Sequence, residues 1–502
     1  MTELSRRDVL RMGGVAAGVA AVGLGAIGCS TAAPPRPILA AVDLDPLDLT
    51  VRMVRFDTSH AGDGGVTLPH AQMLRSIWDA AGARTEIIPT PKADNAHFIA
   101  RIAGSGAHRP LLLLGHSDVV NVERDRWTVD PYGGEVRDGW MYGRGTLDMK
   151  GANAAFMSAL LRHVQEGARF DRDIIFLSDC DEEVGPYGTR WLAEQHYDKI
   201  DAGAVLTEGG WMLAAPGAGT PTVISITTLD KMAAQIEITA QGLATHSSRP
   251  SPDAAIVRLN RALTRLADYQ PDVALTELTR SYFQAWAQAT GNADLTAALR
   301  LMLDATAREQ RNRAGALVVA LSAHPTLHNA LMRHIVTPVI QNAGYRTNVQ
   351  PGSASAQVNL RLVPGGVCVA QTLAEIRAAA GDGVTVALSS RSQPGQSQEQ
   401  LLAGLEMRMT ATASAVDSDV YRAMAAGANE TFPGVPVTPV LFEAGTSAGP
   451  WRQRGIPVYG IYPYVTDDDT LSRMHGNDER IRVDALRRGT EMMYRVFARF
   501  RT

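Results

Sequence analysis

Three segments between residues 111 and 188 decide the fold: LLLLGHSDVV (Leu111–Val120), GRGTLDMKG (Gly143–Gly151) and IIFLSDCDEEVGPYG (Ile174–Gly188). The first is a short apolar run ending in His116 and Asp118, the pattern of a buried strand that delivers polar groups at its C-terminal end. The third repeats that logic, with Ile174 to Leu177 followed by Asp179, Asp181, Glu182 and Glu183. Between them, Asp148 stands on a glycine-rich loop just before a helical pattern, Ala152 to Val164. Acidic residues are rarely buried unless paired or bound to metal. Two strand ends that bring carboxylates and a histidine to one sheet edge therefore describe a metal site better than a core or a solvated acidic loop.

Working outward, His70 to Ala81 has helical spacing and Gly82 is a plausible stop, while Arg84 to Ile88 and Leu111 to Leu114 read as strands. A further helix-and-strand unit runs from Thr189 to Val205 and ends at Thr207-Glu208-Gly209-Gly210, again an acid at a strand end. This alternation predicts an α/β sheet flanked on both faces. From about Lys231 the rhythm changes. Ala234 to Ala240 and Ala354 to Leu362 alternate as half-exposed strands, Ala370 to Ala380 is helical, and Val384 to Leu388 is a strand. Residues 231–392 are thus expected to form a small α+β domain inserted into the first, with a helical insertion at Leu275 to Ala323. Residues 36–230 and 393–502 make the two parts of the larger domain, which closes on a helix from Val483 to Arg499, just after His475.

The first 35 residues read as an export signal and tether. Ser5-Arg6-Arg7-Asp8-Val9-Leu10 resembles a twin-arginine motif, Val15 to Ile27 is a weakly apolar h-region, and Ala26-Ile27-Gly28-Cys29 resembles a lipoprotein cleavage box. The expectation is a periplasmic or membrane-anchored protein, lipidated at Cys29 if the box is used. A transmembrane anchor is disfavoured because the apolar run is short of a full span. With 502 residues, 45% hydrophobic, 20% charged and a net charge of −4 without a basic block, nothing points to nucleic acid. Cys29, Cys180 and Cys368 have no paired spacing, so neither a disulfide framework nor a thiolate zinc site is expected.

These motifs, with TEGG, GLATHSSRP, NVQPGSASAQVNLRLVPG and MHG following in order, resemble one family. It is that of the co-catalytic zinc peptidases, which includes aminoacylase, succinyl-diaminopimelate desuccinylase, carboxypeptidase G and carboxypeptidase S. The long runs around HIVTPVIQNAGYRT and SRMHGNDERI resemble the carboxypeptidase S branch most. The resemblance implies an α/β catalytic domain with a twisted mixed sheet, plus an inserted α+β lid or dimerisation domain. It also implies two zinc ions (cobalt or manganese being possible substitutes) bridged by Asp148, one completed by His116 and Glu208, the other by Glu183 and His475. Histidine and carboxylate donors suit zinc, and two ions at close range need a shared carboxylate to offset their repulsion.

Further roles follow from the same resemblance. Asp118 would lie behind His116 and hold its ring. The resemblance assigns the first Glu of DEE, Glu182, to proton transfer as general base and the second, Glu183, to metal. Adjacent residues on a strand point opposite ways, so the pair cannot share one role without a bend. His246 would steady the oxyanion on domain closure, in relatives often from a partner subunit of a homodimer. Asn348 and Arg361 match positions that contact substrate, although Arg361 on an alternating strand could equally be a solvated face. Gly445-Thr446-Ser447 matches a substrate-binding loop, with Ser447 where an acid is usual. The expected activity is hydrolysis of an amide bond next to a free carboxylate in a small peptide. The alternatives are an N-acyl amino acid hydrolase and a non-catalytic binding protein on the same fold.

Overall fold

The computed structural model describes residues 44–60, 64–366, 368–391 and 394–502. The twin-arginine stretch, the h-region and the segment around Cys29 lie outside these residues.

An eight-stranded mixed sheet forms the larger layer, in the order Arg84–Pro89, Ala96–Ile102, Ile174–Asp179, Leu111–His116, Ala204–Leu213, Val458–Thr466, Val223–Asp230, Val437–Phe442. The four central strands run parallel, so their C-terminal ends share one edge, where ligands bind in open α/β sheets. Side-chain alternation explains why the central runs are apolar throughout. Leu111, Leu113, Ile174 and Phe176 enter the core under the helices Pro46–Val54, Lys150–Gln165 and Val483–Ala498, whereas Leu112, Leu114, Ile175 and Leu177 pack on the opposite face with Leu192 and Trp451. The α/β class with a mixed sheet between helices is therefore the architecture of this chain.

A separate four-stranded antiparallel sheet takes the order Ile335–Ala343, Ser353–Leu362, Met232–Gln241, Thr385–Leu388. One face is covered by the helices Ala255–Asp268, Val369–Ala380 and Gln398–Arg408 around Ile236, Ile238, Val358 and Leu360. Alternation turns Asn359 and Arg361 to the other face. The helical stretch that begins at Glu277 does not join this core: Tyr282, Phe283 and Trp286 pack with Val440 and Phe442 of the large sheet. A three-stranded ribbon, Val136–Arg137, Trp140–Tyr142 and Arg480–Arg482, ties the approach to Asp148 to the segment that follows His475.

Candidate metal centre

His116 is the last residue of its strand and pairs in register with Asp179, so the loop that follows Asp179 opens beside the imidazole. Glu208 lies inside the strand Ala204–Leu213 at a break in register: Thr207 faces Gly460, and Gly210 already faces Ile461. The two extra residues form a bulge, a device that re-aims a side chain next to a site. Only glycines fit there. Gly209 has φ +144°, and a β-carbon on Gly460 would lie 2.0 Å from the Glu208 carbonyl oxygen.

The five residues converge. His116 Nε2 lies 3.0 Å from Asp148 Oδ1 and 3.7 Å from Glu208 Oε2. On the other side of the same carboxylate, His475 Nε2 lies 3.0 Å from Asp148 Oδ2 and 3.0 Å from Glu183 Oε1. Each oxygen of Asp148 thus faces its own histidine and its own glutamate. A carboxylate oxygen of Glu182 falls within 4.8 Å of donor atoms of both His116 and Glu208. His475 adopts φ +59°, a left-handed conformation uncommon for a residue with a side chain and concentrated at functional sites.

The electrostatics are those of a place built for cations. Burial and the neighbouring Glu208 hold the Glu182 carboxyl well above the usual range. Burial and Asp148 push Glu208 up to about 7. Burial opposes the charge on His475, but its hydrogen bonds to Asp148 and Glu183 win and push it up to about 11. Four carboxyl groups against two imidazoles form an oxygen- and nitrogen-rich donor set that suits zinc or a similar divalent ion.

Asp118 lies beside the His116 ring and also touches the acidic loop. The Nδ1 of His116 meets the main-chain carbonyl of Asp118 at 3.0 Å, while the Asp118 carboxylate oxygen is farther, at 3.6 Å. That carboxylate also accepts the backbone N–H of Glu182 (3.0 Å) and of Glu183 (2.9 Å). It therefore fixes the path of the acidic loop, which lets the two consecutive glutamates take separate directions. His60 stands behind it, 3.4 Å from Asp118 Oδ2 and 3.1 Å from Asp181 Oδ1.

A buried ion pair builds the Asp148 loop. Glu479 Oε2 accepts from Arg144 Nη1 at 2.5 Å and from the Gly145 N–H, and Oε1 accepts from the Leu147 and Asp148 N–H groups at 2.7 and 3.3 Å. Arg144 Nη2 donates to the carbonyls of His475 (3.3 Å) and Gly476 (3.0 Å). One pair thus holds two of the converging residues. The peptide between Asp148 and Met149 is cis.

The remaining sequence candidates sit farther out. Arg361 crosses from the small sheet toward Gly445, its Nη1 3.5 Å from where a β-carbon on that glycine would be. Burial lowers its pKa, while Glu182 and Glu443 act in the opposite direction. Thr446 donates to Asp230 at 3.0 Å, and the Ser447 carbonyl accepts from Thr189, so the Gly445–Ser447 loop is pinned from two sides. His246 and Asn348 lie on the short ribbon Thr245–His246 with Val349–Gln350, linked through the Ser247 N–H and the Asn348 carbonyl. Both are exposed, and His246 pairs with the Ser248 hydroxyl at 2.8 Å rather than with any converging residue. Cys180 is buried with His97 and Asp179, but the two ring nitrogens face different partners, Sγ at 3.5 Å and the carboxylate at 3.2 Å.

Sequence reasoning assigned no role to Arg144, Glu479, His60 or Tyr462. The first two stand inside the motifs GRGTLDMKG and SRMHGNDERI, which is the signal that was available.

Similarity to known proteins covers most of the chain. It is 27% identical over 398 residues to the probable carboxypeptidase S-like 2 of Dictyostelium discoideum, covering 77% of this chain and 71% of that one. It is 26% identical over 383 residues to an N-fatty-acyl-amino acid synthase/hydrolase of Xenopus tropicalis, covering 75% and 70%. The fold is that of an M20 family metallo-carboxypeptidase from Sulfolobus solfataricus, with a TM-score of 0.64 at 17% identity over 91% of this chain and 99% of that one. The model of peptidase family M20/M25/M40 matches residues 112–499, and the chain belongs to that family.

Proposed function

We propose that the protein is a dinuclear zinc hydrolase that cleaves an amide bond next to a free carboxylate in small peptides or N-acyl amino acids. The observation that carries this reading is the division of Asp148, one oxygen toward His116 and Glu208 and the other toward His475 and Glu183. In this reading His116, Glu208 and Asp148 hold one ion, and Glu183, His475 and Asp148 the other. Two ions there supply polarisation of the scissile carbonyl and acidification of the attacking water.

The protein's own groups do the rest. Glu182 takes the proton of the attacking water and returns it to the leaving amine as the C–N bond breaks. Asp118 keeps Glu182 aimed by holding its N–H. Arg361 offers a guanidinium fork to the substrate carboxylate.

Metal analysis of the purified protein, with a panel of dipeptides and N-acyl amino acids assayed with and without chelator, tests the reading. The expected result is about two zinc ions per chain and chelator-sensitive release of a free amino acid. Which half of the panel is turned over separates carboxypeptidase from aminoacylase activity. Absence of metal binding together with absence of turnover rejects the reading.

Following the resemblance, His246 enters this scheme from a second subunit; within its own chain it is exposed on the two-stranded ribbon and pairs with none of the converging residues. Complementation checks this. When inactive His246→Ala and Glu182→Ala chains are mixed and allowed to exchange, half of the dimers carry one intact site, so about a quarter of wild-type activity returns. No recovery rejects a shared site.

A further inference from the structure

Tyr462 belongs to the strand Val458–Thr466 and is 1% exposed. Its hydroxyl lies 2.6 Å from Glu208 Oε2 and 3.0 Å from Asp148 Oδ1. These are the oxygens that face His116, one from each of two carboxylates brought together in the interior. A phenol has a single proton to donate, so it serves one oxygen at a time, and the 2.6 Å contact has the length of a charge-assisted O–H···O bond.

The ring has little freedom to turn away. Trp211 stacks on it with centroids 4.5 Å apart and planes at 15°, and Tyr464 packs against it at 5.8 Å. Trp211 is anchored in turn, its indole N–H donating to Glu443 Oε1 at 2.8 Å. The hydroxyl is therefore delivered to the two carboxylates by a rigid aromatic wall. Among the described residues no hydroxyl contact is present at the Glu183 and His475 side of Asp148, so the arrangement is one-sided.

We infer that Tyr462 is a positioning residue for one ion of the pair, the one assigned to His116, Asp148 and Glu208. Its O–H occupies one lone pair on the Glu208 carboxylate, offsets the repulsion between Glu208 and Asp148, and leaves the remaining lone pairs turned toward the imidazole. Groups that orient metal ligands in this way are commonly worth 10–100-fold in metal affinity, by order of magnitude. The inference rests on the ligand assignment proposed above and adds an asymmetry to it: removing the hydroxyl weakens one ion and spares the other.

The test is zinc binding to full-length protein, without substrate, by competition with a chromogenic chelator and by native mass spectrometry. Tyr462→Phe keeps the ring and the stack. Its expected result is one ion bound about 10–100-fold more weakly and the second bound as in wild type. Tyr459→Phe is the control: that tyrosine is buried on the same strand, but its hydroxyl donates to the Ala415 carbonyl at 2.6 Å. It leaves both affinities unchanged. Trp211→Phe keeps the Tyr462 hydroxyl but shrinks the plate that aims it, and produces a smaller loss at the same ion.

Equal affinities in Tyr462→Phe and wild type overturn the inference, as does equal weakening of both ions or the same loss in Tyr459→Phe. Wild-type protein that binds no zinc overturns the ligand assignment itself. The two failures are thereby told apart.

Discussion

Glu182→Gln lowers kcat by about 10²–10⁴-fold, the range contributed by a positioned general acid–base group, while zinc content and fold stay those of the wild type. Glutamine has the size and hydrogen-bonding reach of glutamate but cannot accept the proton of the attacking water. The position suits the task. A carboxylate oxygen lies within 4.8 Å of donor atoms of His116 and Glu208, so a water activated by metal held there would be in its reach. Burial, first, and the acidic neighbours raise the Glu182 carboxyl above its ordinary range. Steady-state kinetics on the best substrate of the panel, with metal analysis and circular dichroism on the same preparation, decide the matter. Turnover within tenfold of wild type rejects Glu182 as the proton carrier.

Glu479→Gln, the second large effect, destabilises the protein by about 3–5 kcal/mol, the cost of leaving one partner of a buried ion pair without the other. Arg144 is 2% exposed and Glu479 is fully buried, so neither charge has water to fall back on. The damage also reaches the metal centre. Glu479 holds the Leu147 and Asp148 N–H groups, and Arg144 holds the carbonyls of His475 and Gly476. Two of the five converging side chains therefore lose their support together. A lower thermal midpoint accompanied by weaker zinc retention is expected. The double variant Arg144→Met, Glu479→Leu removes both charges and regains more stability than either single variant, since apolar replacements of a buried pair are often tolerated. Zinc retention stays low in the double variant, because the loop has lost its hydrogen bonds. A single variant with wild-type midpoint and wild-type zinc binding contradicts this account.

Much of the fold was legible because its determinants are local. Leu111–Leu114 and Ile174–Leu177 announce strands buried on both faces, and the structure sends their alternate residues into two different cores. The helix expected from Ala152 begins at Lys150, and the helix expected over Val483–Arg499 spans Val483–Ala498. The strand Ala96–Ile102 went unread because AHFIARI mixes apolar and polar residues without a clean period. It is a strand nonetheless, paired on both sides in the sheet. The packing of the helices after Leu275 was equally hidden. Their amphipathic pattern says that one face is buried, not which of two sheets receives it.

Residue types and their spacing pointed by themselves to a metal site at one sheet edge, around His116, Asp148 and the acids from Asp179 to Glu183. Family resemblance sorted those donors into roles. Only the tertiary structure decided how they are held. It turned the two oxygens of Asp148 to opposite partners and gave the carboxylate of Asp118, beside the His116 ring, the backbone N–H groups of Glu182 and Glu183 as well. It also set the Tyr462 hydroxyl, 254 residues away in the chain, against Glu208, and Glu479, 335 residues from Arg144, under the Asp148 loop. The reason is physical. Periodicity and motif spacing encode which side chains leave one element on the same face. The hydrogen bonds that orient a buried charge come instead from whichever segments the packed core brings beside it, and that choice exists only once the chain has folded.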